Sequence, residues 1–208
     1  MALMPLRVFL LSPANCRGRR AQQVLSPKAT FSVATRLRDG GVPIGELFAH
    51  MSGLYFRGKL TYAQRFGRAY VITPDEGLMP AEQPISSSML IRFATAKIDL
   101  SNLNYRVPLE RTAHEMAGQH DAEAQFVLLG SVASEKYVQV LTAVFADRLV
   151  FPSSFVGRGD MSRGGLLLRA AAAGQELEYV PVAGAVRHGA RPPKLQPLAR
   201  PLRLERVI

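Results

Sequence analysis

Cysteine occurs once in the 208 residues, at Cys16, which excludes an intrachain disulfide and fits a reducing, cytoplasmic setting. No apolar run approaches the roughly 18 residues of a membrane span. The apolar stretch Leu6 to Leu11 precedes Cys16, but it is short and Asn15 stands where a lipoprotein signal needs a small residue, so no signal is expected. His50, His114, His120 and His188 lack metal-ligand spacing, and no metal is expected. The dinucleotide fingerprint, the P-loop ending and the Gly-x-Ser-x-Gly elbow are all missing. No cofactor is therefore expected. Acidic residues are scarce: 16 Asp and Glu against 26 Lys and Arg leave a formal charge of +10. That balance favours a polyanionic partner such as nucleic acid or a nucleotide, or an anionic membrane surface, and composition alone does not choose between them.

What is present reads as one α/β domain over 1–183, with a mainly parallel sheet of about five strands and helices on both faces, followed by an extended basic tail over 184–208. Buried strands are expected at Leu6–Leu11, Ala69–Thr73, Gln125–Leu129, Arg148–Phe151 and Leu177–Val182. Helical patterns lie between them, including Glu135 to Phe145 with its apolar face of Tyr137, Val138, Leu141, Val144 and Phe145. Pro108 suits the first turn of a helix running to Gln119. The tail carries Arg187, Arg191, Lys194, Arg200, Arg203 and Arg206 against Glu205, half of the positive excess, interspersed with Pro192, Pro193, Pro197 and Pro201.

The stretch Phe151 to Arg169 stands out. Gly157 and Gly159 lie between a strand and a helical run from Gly165 to Ala173, where backbone N–H groups and a helix dipole favour an anion. Arg158 and Arg163 add charge. The structural alternative has Asp160 or Ser162 capping the helix and Arg158 pairing with Asp160. In open parallel sheets, ligands bind beyond the carboxyl ends of the strands. That rule gathers a candidate ligand site from Ser12, Asn15 and Arg17, from Gly130 and Ser131, and from Gly157, Arg158, Gly159, Asp160, Ser162 and Arg163. Asp75 and Glu76 follow the second strand as candidate catalytic bases. Arg158 and Arg163 are expected to face the turns at Ser12 to Arg17 and at Asp75 and Glu76. Cys16 beside Arg17 is a further nucleophile candidate if its thiol is acidic. Tyr55, Phe56, Tyr62 and Phe66 interleave with Arg57, Lys59, Arg65 and Arg68, either as a nucleic-acid surface or, at helical spacing, as a core stripe.

The run Tyr70 to Ile85, Tyr-Val-Ile-Thr-Pro-Asp-Glu-Gly-Leu-Met-Pro-Ala-Glu-Gln-Pro-Ile, resembles the strand and Gly-Leu-x-Pro turn of uracil-DNA-glycosylase-like domains, a group that includes a domain of archaeosine synthase. Leu54-Tyr55 upstream, and Leu129-Gly130, Tyr137, Leu141 and then Pro152 with the Gly-x-Gly stretch downstream, stand in a similar order. Leu10-Leu11-Ser12-Pro13-Ala14 and Ser52-Gly53-Leu54-Tyr55 are similar to pieces of the peroxide-stress YaaA family. Both resemblances imply nucleic acid or nucleobases, in base modification or repair. The Gly-Gln-Asp-Pro-Tyr and His-Pro-Ser segments of active uracil glycosylases are absent, so glycosylase activity is not implied. Two other functions compete with nucleic-acid binding. One is an enzyme acting on a small phosphorylated or nucleoside metabolite through Asp75 or Glu76; the other is a non-catalytic adaptor that recruits a partner through its tail.

Overall fold

The computed structural model describes residues 6–196. Its elements follow in the order β1 (Arg7–Leu11), α1 (Arg19–Leu25), α2 (Ser32–Asp39), β2 (Val42–Pro43), α3 (Ile44–Ser52), α4 (Leu54–Phe66), β3 (Arg68–Ile72), β4 (Leu78–Pro80), β5 (Pro84–Ile85), α5 (Ser87–Thr95), α6 (Leu103–Gly118), β6 (Gln125–Leu129), α7 (Glu135–Phe145), β7 (Leu149–Pro152), α8 (Asp160–Ala173) and β8 (Tyr179–Pro181).

One sheet has the order β4-β3-β1-β6-β7-β8. Its four inner strands are parallel, and the edges β4 and β8 are antiparallel. The fold is thus α/β with a mainly parallel sheet, as the alternation of strands and helices predicts. β2 and β5 form a separate two-stranded ribbon. The central strands carry continuous apolar runs because both faces are covered: Val8 to Leu11 and Phe126 to Leu129 are fully buried. From β1 the chain builds outward to β3 on one side, then returns to build β6 and β7 on the other. This reversal creates a switch point between β1 and β6, beyond whose carboxyl ends a crevice must open. α4 packs over β1 and β3 and against α8, while α6 packs against α7.

Three local expectations are corrected. The strand count rises because the turn after β3 folds back as β4, pairing Ile72 with Leu78; Gly77, at φ 73°, supplies the left-handed residue of that turn. α6 begins five residues before Pro108, where the Asn102 side chain accepts from the Asn104 N–H, so the proline sits inside the helix. α8 begins at Asp160, not Gly165, with Gly159 as its N-cap and no side-chain cap from Asp160 or Ser162. Gly164 and Gly165 are helical residues that resemble a loop only in composition. Beyond β8, residues 184–196 have no regular structure and lie against the domain: Arg187 donates to Glu135 Oε1 at 2.7 Å and to the Val132 carbonyl at 3.3 Å. Pro197, Arg200, Pro201, Arg203 and Arg206 lie outside the described residues.

Candidate functional site: a cleft at the strand switch point

Ser12 follows the last residue of β1, and its N–H donates to the Leu129 carbonyl at 3.2 Å, so the parallel ladder holds it beside the end of β6. Gly130 stands directly opposite. A Cβ there would lie 2.9 Å from Ser12 Cβ and 3.1 Å from its Oγ, so glycine leaves the hydroxyl its space. Ser12, Asn15 and Ser131 then form the floor of a cavity of about 340 Å³. Its walls come from Tyr55 and Lys59 of α4, from Ser134, Lys136 and Tyr137 at the start of α7, and from Asp160 at the start of α8. The volume suits a single small ring or acyl group.

Two glycines bring α4 and α8 together at this point. A Cβ on Gly58 would lie 2.6 Å from the Gly164 carbonyl oxygen, and one on Gly164 would lie 2.8 Å from Tyr55 Cα. The helix backbones therefore touch, which carries Tyr55 and Lys59 to within reach of Asp160 and Arg163. Lys59 is 1% exposed. Its Nζ lies 2.6 Å from the Ser12 carbonyl oxygen and 2.9 Å from Ser12 Oγ, and 4.6 and 4.7 Å from the ring centres of Tyr55 and Phe56. Among the described residues, no carboxylate forms an ion pair with it. Burial pushes its amine down to about 7, with Asp160 opposing that shift and Arg163 adding to it. The Tyr55 hydroxyl is buried without a hydrogen-bond partner; burial pushes the phenol well above its ordinary value, and the nearby Arg163 charge partly opposes this. Burial likewise pushes the Tyr137 phenol up to about 12.

Of the residues expected at the site, Ser12, Asn15, Ser131 and Asp160 line this cavity, and Gly130 shapes it. The others are placed elsewhere. Arg17 caps the end of α5, donating to the carbonyls of Ala94, Thr95 and Ala96 at 2.6, 3.1 and 3.1 Å. Asp75 Oδ2 accepts from Arg92 Nε at 2.7 Å, and Glu76 Oε1 accepts from Arg92 Nη2. Asp75 and Arg92 line a separate cleft with Lys97, Asn102 and Pro108. Arg163 is buried, donating to the Phe155 carbonyl at 3.1 and 3.3 Å, with Asp160 Oδ1 at 3.7 Å. Arg158 donates to the Ser154 carbonyl, to Ser162 Oγ and to the Pro193 carbonyl at 3.0, 3.2 and 3.3 Å.

The expectation that both arginines face the turns after β1 and β3 is thus corrected. Arg158, Gly159 and Ser162 instead line a crevice with Arg191 and Lys194. Gly157, at φ 70°, packs against the chain at Ala190. Among the described residues, no three metal-ligating side chains come together. Cys16 is buried and its thiol is pushed up to about 12, opposite to the shift a nucleophile needs. Tyr55, Tyr62 and Phe56 are buried, so the aromatic stripe of α4 is core, as its helical spacing suggests.

A second concave surface adjoins the cleft. The α3–α4 junction contributes Ser52 and Tyr55 to the cavity, while Gly53, Leu54 and Arg57 line a groove against α1 and α2. The groove carries Arg20, Lys28 and Arg57, all exposed, and no carboxylate. Phe31, 39% exposed, stacks on His50 at 5.4 Å and 22° along its wall. Comparison of the chain with protein-family models, curated proteins and solved structures finds no significant match.

The lysine is what sequence reasoning missed. Lys59 was one of four cations interleaved with aromatics, yet it lies four residues after Tyr55 and three before Tyr62, on the face that packs inward. A lysine inside an apolar helical stripe is the signal that marks it.

Proposed function

We propose that this protein binds nucleic acid or a nucleotide, with the phosphate chain along the groove of α1 to α4 and one base-sized moiety in the β1–β6 cleft. The observation that carries this reading is the groove itself: three exposed cations, no carboxylate in its lining, and an exposed aromatic stack, with Gly53 and Leu54 in the groove and their chain neighbours Ser52 and Tyr55 in a cavity of ring size. Cations follow a phosphate backbone, and exposed rings stack bases regardless of sequence. The net charge of +10 and the resemblance of Tyr70 to Ile85 to glycosylase-like domains support it. Asp75 and Glu76 are paired with Arg92 and lie outside the cleft, so they are weaker candidates for catalysis than the groups within it.

Fluorescence anisotropy with labelled single-stranded DNA and RNA tests the proposal. Affinity should fall linearly with salt on logarithmic axes, and Lys28→Glu with Arg57→Glu should weaken binding roughly tenfold or more and flatten the slope. Absence of binding to either strand at low salt overturns it.

A further inference from the structure

A charged amine buried without a carboxylate is costly. A neutral Lys59 removes that cost and is compatible with both short contacts. Its Nζ donates to the Ser12 carbonyl at 2.6 Å and, when charged, also to Ser12 Oγ at 2.9 Å; once neutral, it keeps the carbonyl bond and its lone pair can accept the Ser12 O–H across the same 2.9 Å. This is the resting geometry of a hydroxyl and the base that activates it. The hydroxyl stands in the cavity, with Gly130 keeping the space before it clear.

We propose that Ser12 is a nucleophile and Lys59 its general base, a dyad that transfers an acyl group from an ester or amide bound in the β1–β6 cleft. This rests on the reading of that cleft as the ligand site. Ser12 Oγ attacks the carbonyl carbon, forming a C–O bond as its proton passes to Lys59 Nζ. Collapse of the tetrahedral species breaks the bond to the leaving group, which takes that proton. Water then gives its proton to the amine and attacks the acyl-serine, releasing the acid and restoring the Ser12 hydroxyl. The side-chain amide of Asn15, whose Oδ1 is occupied by the Arg17 N–H at 2.9 Å, and the hydroxyls of Ser131 and Ser134 line the cavity as donors for the developing oxyanion. The unpartnered Tyr55 hydroxyl is a further polar group left for a ligand.

An acyl carbon suits the cleft better than a phosphoryl group, because Asp160 offsets the charge of Lys136 in its lining and the neighbouring Arg163 is committed to the Phe155 carbonyl. The charged groups acting on Lys59 are Asp160 and Arg163 of α8, whose effects oppose each other. Burial then leaves the amine with an affinity near neutrality, as a base working at neutral pH requires.

A fluorophosphonate probe, which bonds to an activated serine with loss of fluoride, tests the dyad in the full chain by intact mass and peptide mapping. A single adduct on Ser12 is expected, with a rate that rises through about pH 7 as the amine loses its proton. Ser12→Ala should abolish it. Lys59→Met should slow it roughly 100-fold or more, and Lys59→Arg, which keeps a donor but no available base, should not restore it. An unlabelled Ser12 in folded wild-type protein overturns the proposal, as does equal labelling of Lys59→Arg. Should neither lysine variant fold, the wild-type profile decides: a rate flat between about pH 6 and 8 overturns it. Nucleic-acid binding is measured on the same wild-type preparation. Binding without labelling removes the dyad alone; labelling without binding removes the nucleic-acid reading alone and leaves the dyad standing.

Discussion

The cleft beside Lys59 and the loop that carries Arg158 both place basic side chains near the carboxyl edge of the sheet, and they use them in opposite ways. In the loop, each guanidinium is spent on the protein's own backbone: Arg163 on Phe155, Arg158 on Ser154 and Pro193. In the cleft, one amine is buried with no carboxylate beside a serine hydroxyl. The glycine-rich loop, conspicuous in the sequence, leads into α8 and packs against the chain that follows β8. The proposed dyad lies where a basic group has no ion-pair partner among the described residues, because there desolvation can move its proton affinity into a useful range.

That contrast breaks most completely if the two helices are forced apart. Gly58→Val adds a side chain where even a Cβ would lie 2.6 Å from the Gly164 carbonyl oxygen, and it should cost about 3 kcal/mol in urea unfolding. The next test addresses the amine itself. Lys59 has a folded affinity lowered to about 7 from 10.5, so between those values the unfolded chain binds more protons than the native one. Native stability should therefore rise with pH across that window, by on the order of 1 kcal/mol per unit at most. The destabilising contribution is fully present below about pH 7, and Lys59→Met should flatten the rise seen in thermal melts.

Arg163→Ala, which orphans the Phe155 carbonyl in a buried setting, should cost about 2 kcal/mol. Arg158→Ala, at a part-exposed position, should cost about 0.5 kcal/mol. Equal losses in chemical denaturation would erase the distinction between the two arginines. A comparably small effect is expected far from the cleft: Asp75→Asn weakens a bridge to an Arg92 side chain that is 49% exposed and should change stability by no more than about 0.5 kcal/mol. Its rate of fluorophosphonate labelling should match wild type.

The strands and most helices were legible because their signals are local. Phe9-Leu10-Leu11 and Phe126-Val127-Leu128-Leu129 are too apolar to lie anywhere but in a covered sheet. Ser12, Asn15, Gly130 and Ser131 were reachable by the further rule that loops after parallel strands converge. Arg17, Asp75 and Glu76 follow strand ends as well, yet each is turned aside by a partner distant in sequence, Arg17 by the end of α5 and the carboxylates by Arg92. No local pattern announces such pairings. Gly164 and Gly165 misled for a related reason: glycine in a helix is unfavourable in isolation, and its use appears only when a second helix requires the missing Cβ.

By itself, the amino-acid order determined the class of fold, the run of buried strands, the excess of positive charge and the end of the sheet at which a site would form, since hydrophobic period and turn chemistry act over a few residues. Only the tertiary structure decided which charges are neutralised by the protein's own carbonyls and which one is buried against Ser12. That choice depends on strand order and on the contact of Gly58 with Gly164, residues more than a hundred positions apart, and proton affinity follows from the surroundings so assembled.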